Sequence, residues 1–356
     1  MIDLFYELAE KAMELERKGQ RMVRLNVGDT NLPVPSCALD AARQSLAKAK
    51  SGYGPSAGLP ALRQAIAERE GCGYENVVVG PGSKHLLFAL VSLLAGRGKS
   101  VALPLPSWPA YGLICRQTQS TALEIHATLV NNWEFGSLPS ADIAIICNPL
   151  NPTSTIYKGS ALAKAVKDAE GKGTHVIMDE AYRGLAFEPI EKVGKIRLRS
   201  FSKEFCLENW RLGYAVVPES IAKKLERFNQ ITCTCTPSFV QEAGIACLEN
   251  EKEILAVHRK IWKARADAAC KSLIAHGFKF AKPQSGIYVF AGHDGMEDST
   301  KYALSLLDKG VAVAPGSDFG GYESFVRICI NQPPAVLEEA IGKMAAALSI
   351  KGKRKT

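Results

Sequence analysis

The sequence predicts an α/β fold, because short apolar strands alternate with segments of helical periodicity over most of the chain. Apolar runs at Val77–Gly80, Ile143–Cys147 and His175–Met178 are separated by helical segments such as Ser83–Leu94 and Ala161–Ala169. Strands that are apolar throughout, rather than alternately polar, are typical of a mostly parallel sheet that helices cover on both faces. The sequence therefore predicts a large domain of this kind.

The other elements of the first two thirds continue this alternation. Leu4, Leu8, Ala12 and Leu15 recur at helical spacing, which predicts a helix over Leu4–Lys18. The remaining predictions are helices at Ser36–Ala49, Leu59–Glu70 and Trp108–Gln117, and strands at Met22–Val27, Ser100–Leu103, Ala122–Ile125 and Ile196–Phe201.

The character of the chain changes after Glu249, and a second domain is predicted there. A long polar helix is expected first, followed by short strands and a final amphipathic helix, at Lys252–His276, Gly286–Ala291, Val311–Ala314, Phe325–Ile330 and Ala335–Leu348. A chain of 356 residues also exceeds the ~250–300 residues that one core usually serves. We expect residues 46–250 to form the large domain, and residues 1–45 and 251–356 a smaller α+β domain.

Composition excludes several classes of protein. No apolar run approaches the ~18 residues of a membrane span, and the first residues lack the pattern of a signal peptide, so we expect a cytoplasmic protein. The ten cysteines form no C-x-x-C pair, and the six histidines pair with no cysteine at ligand spacing. Buried thiols and no metal site are therefore expected.

The net charge of +8 indicates little about macromolecular partners. Four of the cationic side chains lie in the tail at residues 351–356, which is interpreted as a solvated terminus rather than a nucleic-acid contact. We expect neither nucleic acid nor membrane as a partner. An excess of cations also suits anionic small molecules.

Chemically suggestive side chains follow three of the predicted strands. Asn148, Asp179 and the pair Ser202-Lys203 each come just past the end of a strand. Ligands of such sheets bind beyond the carboxyl ends of the strands, so these groups are expected to meet at one site.

These segments resemble the aspartate-aminotransferase superfamily, the class I/II aminotransferases of fold type I. The resemblance lies in Asn148-Pro149-Leu150-Asn151-Pro152-Thr153, Asp179-Glu180-Ala181-Tyr182, Ser200-Phe201-Ser202-Lys203 and Arg211-Leu212-Gly213-Tyr214, and it extends from Leu25 to the last helix. It implies an aspartate-aminotransferase-like large domain with pyridoxal 5′-phosphate as cofactor. That cofactor needs a lysine for its aldehyde, an acid for its ring nitrogen and cations for its phosphate. Lys203, Asp179 and Arg211 could supply them.

The resemblance also implies contacts to the cofactor ring. Asp179 would form an ion pair with the ring nitrogen, Tyr182 and Asn151 would bind the 3-oxygen, and Trp108 would stack on the ring. From the residues alone, Asp179 could instead cap a helix, and Trp108 could be a core residue.

A glycine-rich turn is predicted to bind the phosphate. Gly80-Pro81-Gly82-Ser83-Lys84 ends a strand and begins a helix, where backbone amides and the helix dipole favour an anion. By the resemblance, Gly82, Ser83, Lys84, Ser200 and Arg211 lie at the phosphate.

By the same resemblance, Tyr53 reaches the phosphate in the neighbouring subunit. This implies a homodimer with shared active sites. A buried structural role for Tyr53 is the alternative.

The substrate residues are implied in the same way. Arg327, in the middle of an apolar strand, would bind the substrate's α-carboxylate as a planar fork. Gly28 would allow the backbone to approach that carboxylate, and Asn151 and Trp108 would also face the substrate. Lys84 aligns with a lysine that meets the distal carboxylate of the substrate in one branch of aspartate aminotransferases.

The function implied is a pyridoxal-phosphate-dependent aminotransferase that moves an amino group between an L-amino acid and a 2-oxo acid by a ping-pong mechanism. Lys203 would be the catalytic general base. Aspartate or glutamate is the first choice of substrate. Tyr288 and Trp108 would also suit a pocket for aromatic or other amino acids, so those substrates stay open. A carbon–sulfur lyase or a decarboxylase of the same fold also stays open. A regulatory protein is disfavoured because Lys203 is intact.

Two positions depart from the family pattern. Ser154 stands where a glycine usually follows the Asn-Pro-x-Asn-Pro-Thr motif, and Asn209 stands where many members have glycine. Asparagine tolerates a positive φ, so Asn209 is compatible with a turn of that kind.

Overall fold

The structure, a computed structural model, describes residues 4–48 and 52–352. The elements of the large sheet and its helices are α2 (Ser36–Ala47), α3 (Pro60–Glu70), β2 (Val77–Gly80), α4 (Ser83–Leu94), β3 (Ser100–Leu105), α5 (Ala110–Gln117), β4 (Thr121–His126), β5 (Ile143–Cys147), α6 (Gly159–Gly171), β6 (His175–Asp179), β7 (Ile196–Ser200), α7 (Phe201–Glu204), β8 (Gly213–Val216), α8 (Glu219–Thr232) and α9 (Ser238–Glu249). The remaining elements are α1 (Leu4–Arg17), β1 (Val23–Arg24), α10 (Glu251–Ala275), β9 (Tyr288–Gly292), α11 (Ser299–Leu307), β10 (Val311–Ala312), β11 (Ala314–Pro315), β12 (Phe325–Cys329) and α12 (Pro334–Gly352).

The large sheet has seven strands within the described ranges, in the order β2-β8-β7-β6-β5-β3-β4. All neighbouring pairs are parallel except those of β8, which runs antiparallel to both β2 and β7. The strands β2, β5 and β8 are buried along their whole length, as expected for a sheet between two layers of helices. The predicted mostly parallel α/β architecture is confirmed.

The register of the central strands brings three motifs to one edge. Cys147 at the end of β5 pairs with Asp179 at the end of β6, and Asp179 pairs with Leu198 near the end of β7. The chain leaves β5 into Asn148 and leaves β7 into the short helix α7, which carries Lys203. The parallel arrangement therefore places the predicted chemical groups together.

Smaller sheets form from the two ends of the chain. Strand β1 pairs in parallel with β10, with Val23 opposite Val311, and β11, β12 and β9 form an antiparallel sheet. Helices α10 and α12 pack on each other beside these strands. The division at residues 45 and 250 stays a prediction. It agrees with the large sheet lying wholly between Val77 and Val216, although α2, which crosses the predicted boundary, packs on α9.

The predicted elements differ from the structure mainly at their ends. The strand expected over Met22–Val27 is reduced to Val23–Arg24, and the helix expected from Trp108 begins at Ala110. Strand β8 was not predicted. Ala49, at the end of the predicted second helix, and residues 353–356 of the basic tail lie outside the described residues.

Two further features of the described residues concern membrane-spanning helices and metal ligands. None of the helices between residues 4 and 352 that the structure describes is both long and apolar enough to cross a membrane. The same residues contain no cluster of three or more His, Cys, Asp or Glu side chains placed to hold a metal ion.

Candidate active site

A cavity of about 510 Å³ lies beyond the carboxyl ends of β5, β6 and β7. Every predicted site residue except Gly82 and Tyr53 lines it: Gly28, Ser83, Lys84, Trp108, Asn151, Asp179, Tyr182, Ser200, Lys203, Arg211 and Arg327. These side chains come from distant parts of the sequence, so their convergence is a property of the fold.

Asp179 is a buried carboxylate at the base of this cavity. Its Oδ2 accepts a hydrogen bond from the Tyr111 hydroxyl at 2.8 Å, and its Oδ1 accepts one from the Ala181 N–H at 3.2 Å. Burial raises the pKa of Asp179 above its usual value, while these two hydrogen bonds oppose the rise. A cation placed beside the carboxylate would stabilise its ionised form.

Tyr182 and Asn151 lie in contact with each other in the cavity. The Asn151 Nδ2 donates to the Tyr182 hydroxyl at 3.3 Å, and the Tyr182 hydroxyl also lies 3.3 Å from the Tyr288 hydroxyl. Burial raises the pKa of Tyr182 well above its ordinary value, so the phenol keeps its proton and can donate it to a ligand oxygen.

Lys203 projects into the cavity from the single turn of α7. Its Nζ lies 3.8 Å from the Glu208 Oε1, and about one fifth of the side chain is exposed. Burial lowers the pKa of the Lys203 amine, and the Glu208 carboxylate acts in the opposite direction. A lowered pKa increases the fraction of free amine, which is the form that attacks a carbonyl carbon or accepts a proton.

One end of the cavity is suited to an anion. Ser83 begins α4, a helix of 12 residues whose N-terminal amides favour negative charge, and Arg211 lies beside it. Gly82 has φ +89°, and a Cβ there would overlap the Arg211 guanidinium. Gly82 thus leaves room for the arginine. Ser200 caps α7 by accepting from the Ser202 N–H.

Arg327 also lines the cavity and is almost fully buried. Its Nη1 donates to the Asn151 Oδ1 at 3.1 Å, and its Nη2 donates to the Asn26 carbonyl oxygen at 2.5 Å. The guanidinium also lies over the Tyr288 ring, 4.3 Å from its centroid. These contacts hold the fork in one orientation, as recognition of a planar carboxylate requires.

The packing of the Tyr288 ring explains why residue 28 is a glycine. A Cβ at residue 28 would overlap the Tyr288 hydroxyl, so that only glycine leaves space for this ring. The prediction from the sequence concerned the approach of a substrate carboxylate, and the structure adds a packing reason for the same glycine.

Trp108 lines the cavity and is only partly buried, so that its ring is available to a ligand. Its ring packs edge-on against Tyr111, with 5.6 Å between the centroids. The Lys84 Nζ lies 4.9 Å from the Trp108 ring centroid, which brings a cation to this side of the cavity.

Tyr53 is not part of this cavity. Its side chain is 89% exposed on the isolated chain, which is incompatible with the alternative of a buried structural tyrosine. The prediction that it reaches a neighbouring subunit stays a prediction.

The two departures from the family pattern have different outcomes. Ser154 adopts φ +56°, in the left-handed region that glycine favours, and its hydroxyl accepts from the Tyr288 N–H at 3.1 Å. Serine therefore joins this turn to β9, which a glycine could not do. The positive φ of the second turn falls on Arg211, at +57°, rather than on Asn209.

Sequence reasoning assigned no role to Tyr111 or Glu208, and it suggested Tyr288 only as part of a pocket for aromatic or other substrates. Tyr111 lies three residues after Trp108, a spacing that would put both side chains on one face of the helix predicted from Trp108. Tyr288 follows a predicted strand start, and Glu208 lies between Lys203 and Arg211. Their partners are remote in sequence, so spacing alone gives only a weak signal.

Pyridoxal phosphate fits this set of groups. Burial disfavours the ionised form of the Asp179 carboxylate, so a protonated ring nitrogen would be a favourable partner for it. The Tyr182 phenol and the Asn151 amide suit the 3-oxygen, and the N-terminus of α4 with Arg211 suits a phosphate. Lys203 lies among them with an amine of lowered pKa.

Comparison with known proteins agrees with the geometry. Residues 20–344 match the family model described as aminotransferase class I and II. The aspartate aminotransferase of Thermococcus kodakarensis is 35% identical over 320 residues, which cover 86% of this chain and 84% of that protein. The aspartate/prephenate aminotransferase of Thermus thermophilus is 26% identical, with 95% and 94% covered.

Solved structures show the same likeness. The aspartate aminotransferase from Thermus thermophilus with maleate superposes with a TM-score of 0.91 and 26% identity, covering 98% of this chain and 97% of that one. Fold and site together define an enzyme that transfers amino groups, with the aspartate aminotransferase fold. The chain belongs to the aminotransferase class I and II family, whose members use pyridoxal phosphate.

Proposed function

We propose that this chain binds pyridoxal 5′-phosphate through Lys203 and transfers amino groups between aspartate or glutamate and a 2-oxo acid. The observation that supports the proposal most strongly is one cavity lined by Lys203, Asp179, Arg211 and Arg327. The cavity thus has an amine, a buried acid and two arginines.

The cofactor would be held by groups from four segments. Asp179 would pair with the ring nitrogen, Tyr182 and Asn151 would bind the 3-oxygen, and Trp108 would cover the ring. Ser83, Ser200 and Arg211, with the backbone of Gly82, would hold the phosphate.

When bound, this cofactor supplies an electron sink that makes the Cα proton of an amino acid acidic. The Lys203 amine takes up that proton, because it lies in the cavity with a lowered pKa. Arg327 fixes the α-carboxylate, so that the Cα–H bond faces the amine. Asp179 stays ionised beside the cation that it binds.

The charge of the cavity favours a dicarboxylic substrate. Lys84, Lys203, Arg211 and Arg327 provide four cationic side chains, and the lining contributes a single carboxylate, Asp179, among the residues described. With Arg211 assigned to the phosphate and Arg327 to the α-carboxylate, Lys84 is the cation assigned to a distal carboxylate. Aspartate and glutamate carry such a group.

A kinetic comparison tests the substrate assignment. The variant Lys84→Ala should lower kcat/KM for aspartate and glutamate by about tenfold or more, and change that for alanine by less than about threefold, because alanine has no distal carboxylate. Lys223→Ala, which removes an exposed lysine of α8, is the control. Equal losses for all three amino acids would reject the role of Lys84. Release of ammonia and pyruvate when no 2-oxo acid acceptor has been added would indicate a lyase instead.

The assembly and location are also proposals. A homodimer with shared sites is supported by the exposure of Tyr53, which leaves that side chain free to contact a second copy. A small domain formed by residues 1–45 and 251–356 would carry Gly28 and Arg327 to the substrate. A cytoplasmic location stays a prediction.

A further inference from the structure

Glu208 is a carboxylate beside the active-site lysine. It begins a short 3-10 helix, Glu208–Trp210, that connects Lys203 to Arg211. Its Oε1 lies 3.8 Å from the Lys203 Nζ, and the two side chains are 26% and 20% exposed. Both groups are thus partly shielded from solvent, so their electrostatic attraction is screened less than that of a fully exposed ion pair.

Other contacts fix the position of Glu208. The Thr30 N–H donates to the same Oε1 at 2.7 Å, which ties the carboxylate to the segment that follows Gly28. The Arg211 Nη1 donates to the Glu208 carbonyl oxygen at 2.7 Å. The residue is therefore held at its side chain and its backbone by two neighbours of the active site.

The charged and titratable groups around Lys203 come from three parts of the fold. Glu208 and Arg211 flank it from the segment after α7, Asp29 faces it from the N-terminal segment, and the Cys329 thiol, whose pKa is raised by burial, faces it from β12. Arg211 disfavours an ammonium at this point, and burial does so more strongly. Glu208 makes the largest opposing contribution.

We propose that Glu208 is a positioning residue that stabilises the ammonium form of Lys203 whenever its side chain is not covalently bound. In the cofactor-free protein, Glu208, which also accepts from the Thr30 N–H, directs the amine toward its own carboxylate. In turnover, which rests on the proposed function, the amine accepts the Cα proton of the substrate and becomes an ammonium. The Cα–H bond breaks and an N–H bond forms, while the electron pair of the C–H bond would be taken up by the electron sink of the bound cofactor; the new positive charge lies beside the Glu208 carboxylate.

The test is a titration of Lys203 in the cofactor-free protein, which requires no catalysis. The lysines are reductively methylated with ¹³C-formaldehyde, and the Lys203 resonance is assigned by its loss in Lys203→Ala. In Glu208→Gln, which keeps an acceptor for the Thr30 N–H, the pKa of the Lys203 amine should fall by about one unit. Glu170→Gln is the matched control, since Glu170 is similarly shielded and pairs with Lys195 instead.

The outcomes are distinct. A lower pKa in Glu208→Gln but not in Glu170→Gln, with a smaller decrease in Glu208→Asp, supports the proposal. Unchanged titration of Lys203 in both Glu208 variants overturns it. Glu208→Asp also serves if the glutamine variant does not fold. Because the readout is a side-chain titration, a chain that failed to transaminate would refute the proposed function without altering this result.

Discussion

At the scale of single residues, the candidate site depends on side chains that orient the groups expected to bind a ligand. Tyr111 donates to Asp179, and Tyr288 contacts the Tyr182 hydroxyl while its ring lies beneath Arg327. The groups that would touch a ligand are thus oriented before it binds, which reduces the entropy lost on binding.

Removing the Tyr111 hydroxyl should weaken cofactor binding. Tyr111→Phe deletes the hydrogen bond to Asp179 and so disfavours its ionised form, which should raise the Kd for pyridoxal phosphate by about tenfold. Tyr302→Phe is a matched control, because it removes a buried phenol that donates to the Met344 carbonyl oxygen in the small domain. Equal Kd values for Tyr111→Phe and Tyr302→Phe in an equilibrium titration would contradict this role of Tyr111.

Gly28 should not tolerate a methyl group. Gly28→Ala forces the Tyr288 ring away from Arg327 and should lower kcat/KM by about tenfold or more. The double variant Gly28→Ala with Tyr288→Phe should recover part of the loss, since it removes the overlapping hydroxyl. Gly112→Ala is the control, because nothing lies within 4 Å of a Cβ there. Steady-state kinetics that show no recovery in the double variant would reject this explanation.

At the scale of elements, strand β7 connects the active site to a buried network of charges. Arg197 and Arg199 alternate with Leu198 and Ser200, so both arginines point to the same face of the sheet. The Arg197 Nη1 donates to the Glu70 Oε2 at 2.7 Å, and the Arg199 Nη2 donates to the Glu204 Oε1 at 2.6 Å. Glu204 directly follows Lys203 and ends α7, so the charged network contacts the helix that carries the active-site lysine.

Breaking the network at Glu70 should destabilise the fold strongly. Glu70 also accepts from the Tyr214 hydroxyl at 2.7 Å, and its side chain is 1% exposed. Glu70→Gln removes the carboxylate that both arginines of β7 contact and leaves excess positive charge buried, so the free energy of unfolding should fall by about 3 kcal/mol or more. Glu219→Gln, in an exposed pair with Lys223, should cost less than about 1 kcal/mol. Urea unfolding compares them, and similar losses would contradict the prediction.

The same carboxylate predicts a pH dependence of stability. Burial alone would raise the pKa of Glu70, but Arg199, the Tyr214 hydroxyl and Arg197 outweigh it and hold the pKa well below its usual value. The stability that ionised Glu70 contributes to the fold is therefore present above the unfolded pKa of about 4.3, and it is lost progressively as the pH falls below that value. Wild-type stability should decline more steeply than that of Glu70→Gln in urea titrations below this pH. Parallel declines would contradict the assignment.

The sequence predicted the strands that carry motifs better than the elements that only complete the sheet. The apolar runs of β5 and β6 and the motifs after them identified the site edge. Strand β8 was missed, because the apolar run around Tyr214 was interpreted only as part of the Arg211 motif. The contacts of Tyr111, Tyr288 and Glu208 could not be predicted, because each depends on how distant segments pack.

At the scale of the whole molecule, the site combines residues from both ends of the chain with residues of the large sheet. Gly28 and Arg327 come from the terminal parts, and Asp179 and Lys203 come from the edge of the large sheet. A second copy would add Tyr53, whose side chain is exposed on the single chain. The proposed dimer would therefore complete the phosphate end of the site.

Mixed dimers test whether the site is shared. Lys203→Ala and Tyr53→Ala should each be impaired, and mixing them under conditions that exchange subunits should restore up to about a quarter of wild-type activity. The restored site has Lys203 from one subunit and Tyr53 from the other. Lys203→Ala mixed with Arg327→Ala is the control, since both residues line the cavity of one chain. Equal activity in the two mixtures would reject a role for Tyr53 across the interface.

The covalent role of Lys203 in amino-group transfer is tested most directly by absorbance spectroscopy. The purified protein is incubated with pyridoxal phosphate, then with aspartate, and finally with 2-oxoglutarate. We predict a visible band that is absent in Lys203→Ala, is lost with aspartate and returns with the 2-oxo acid. The same band in Lys203→Ala, or a band that aspartate and glutamate both leave unchanged, would contradict the proposed function.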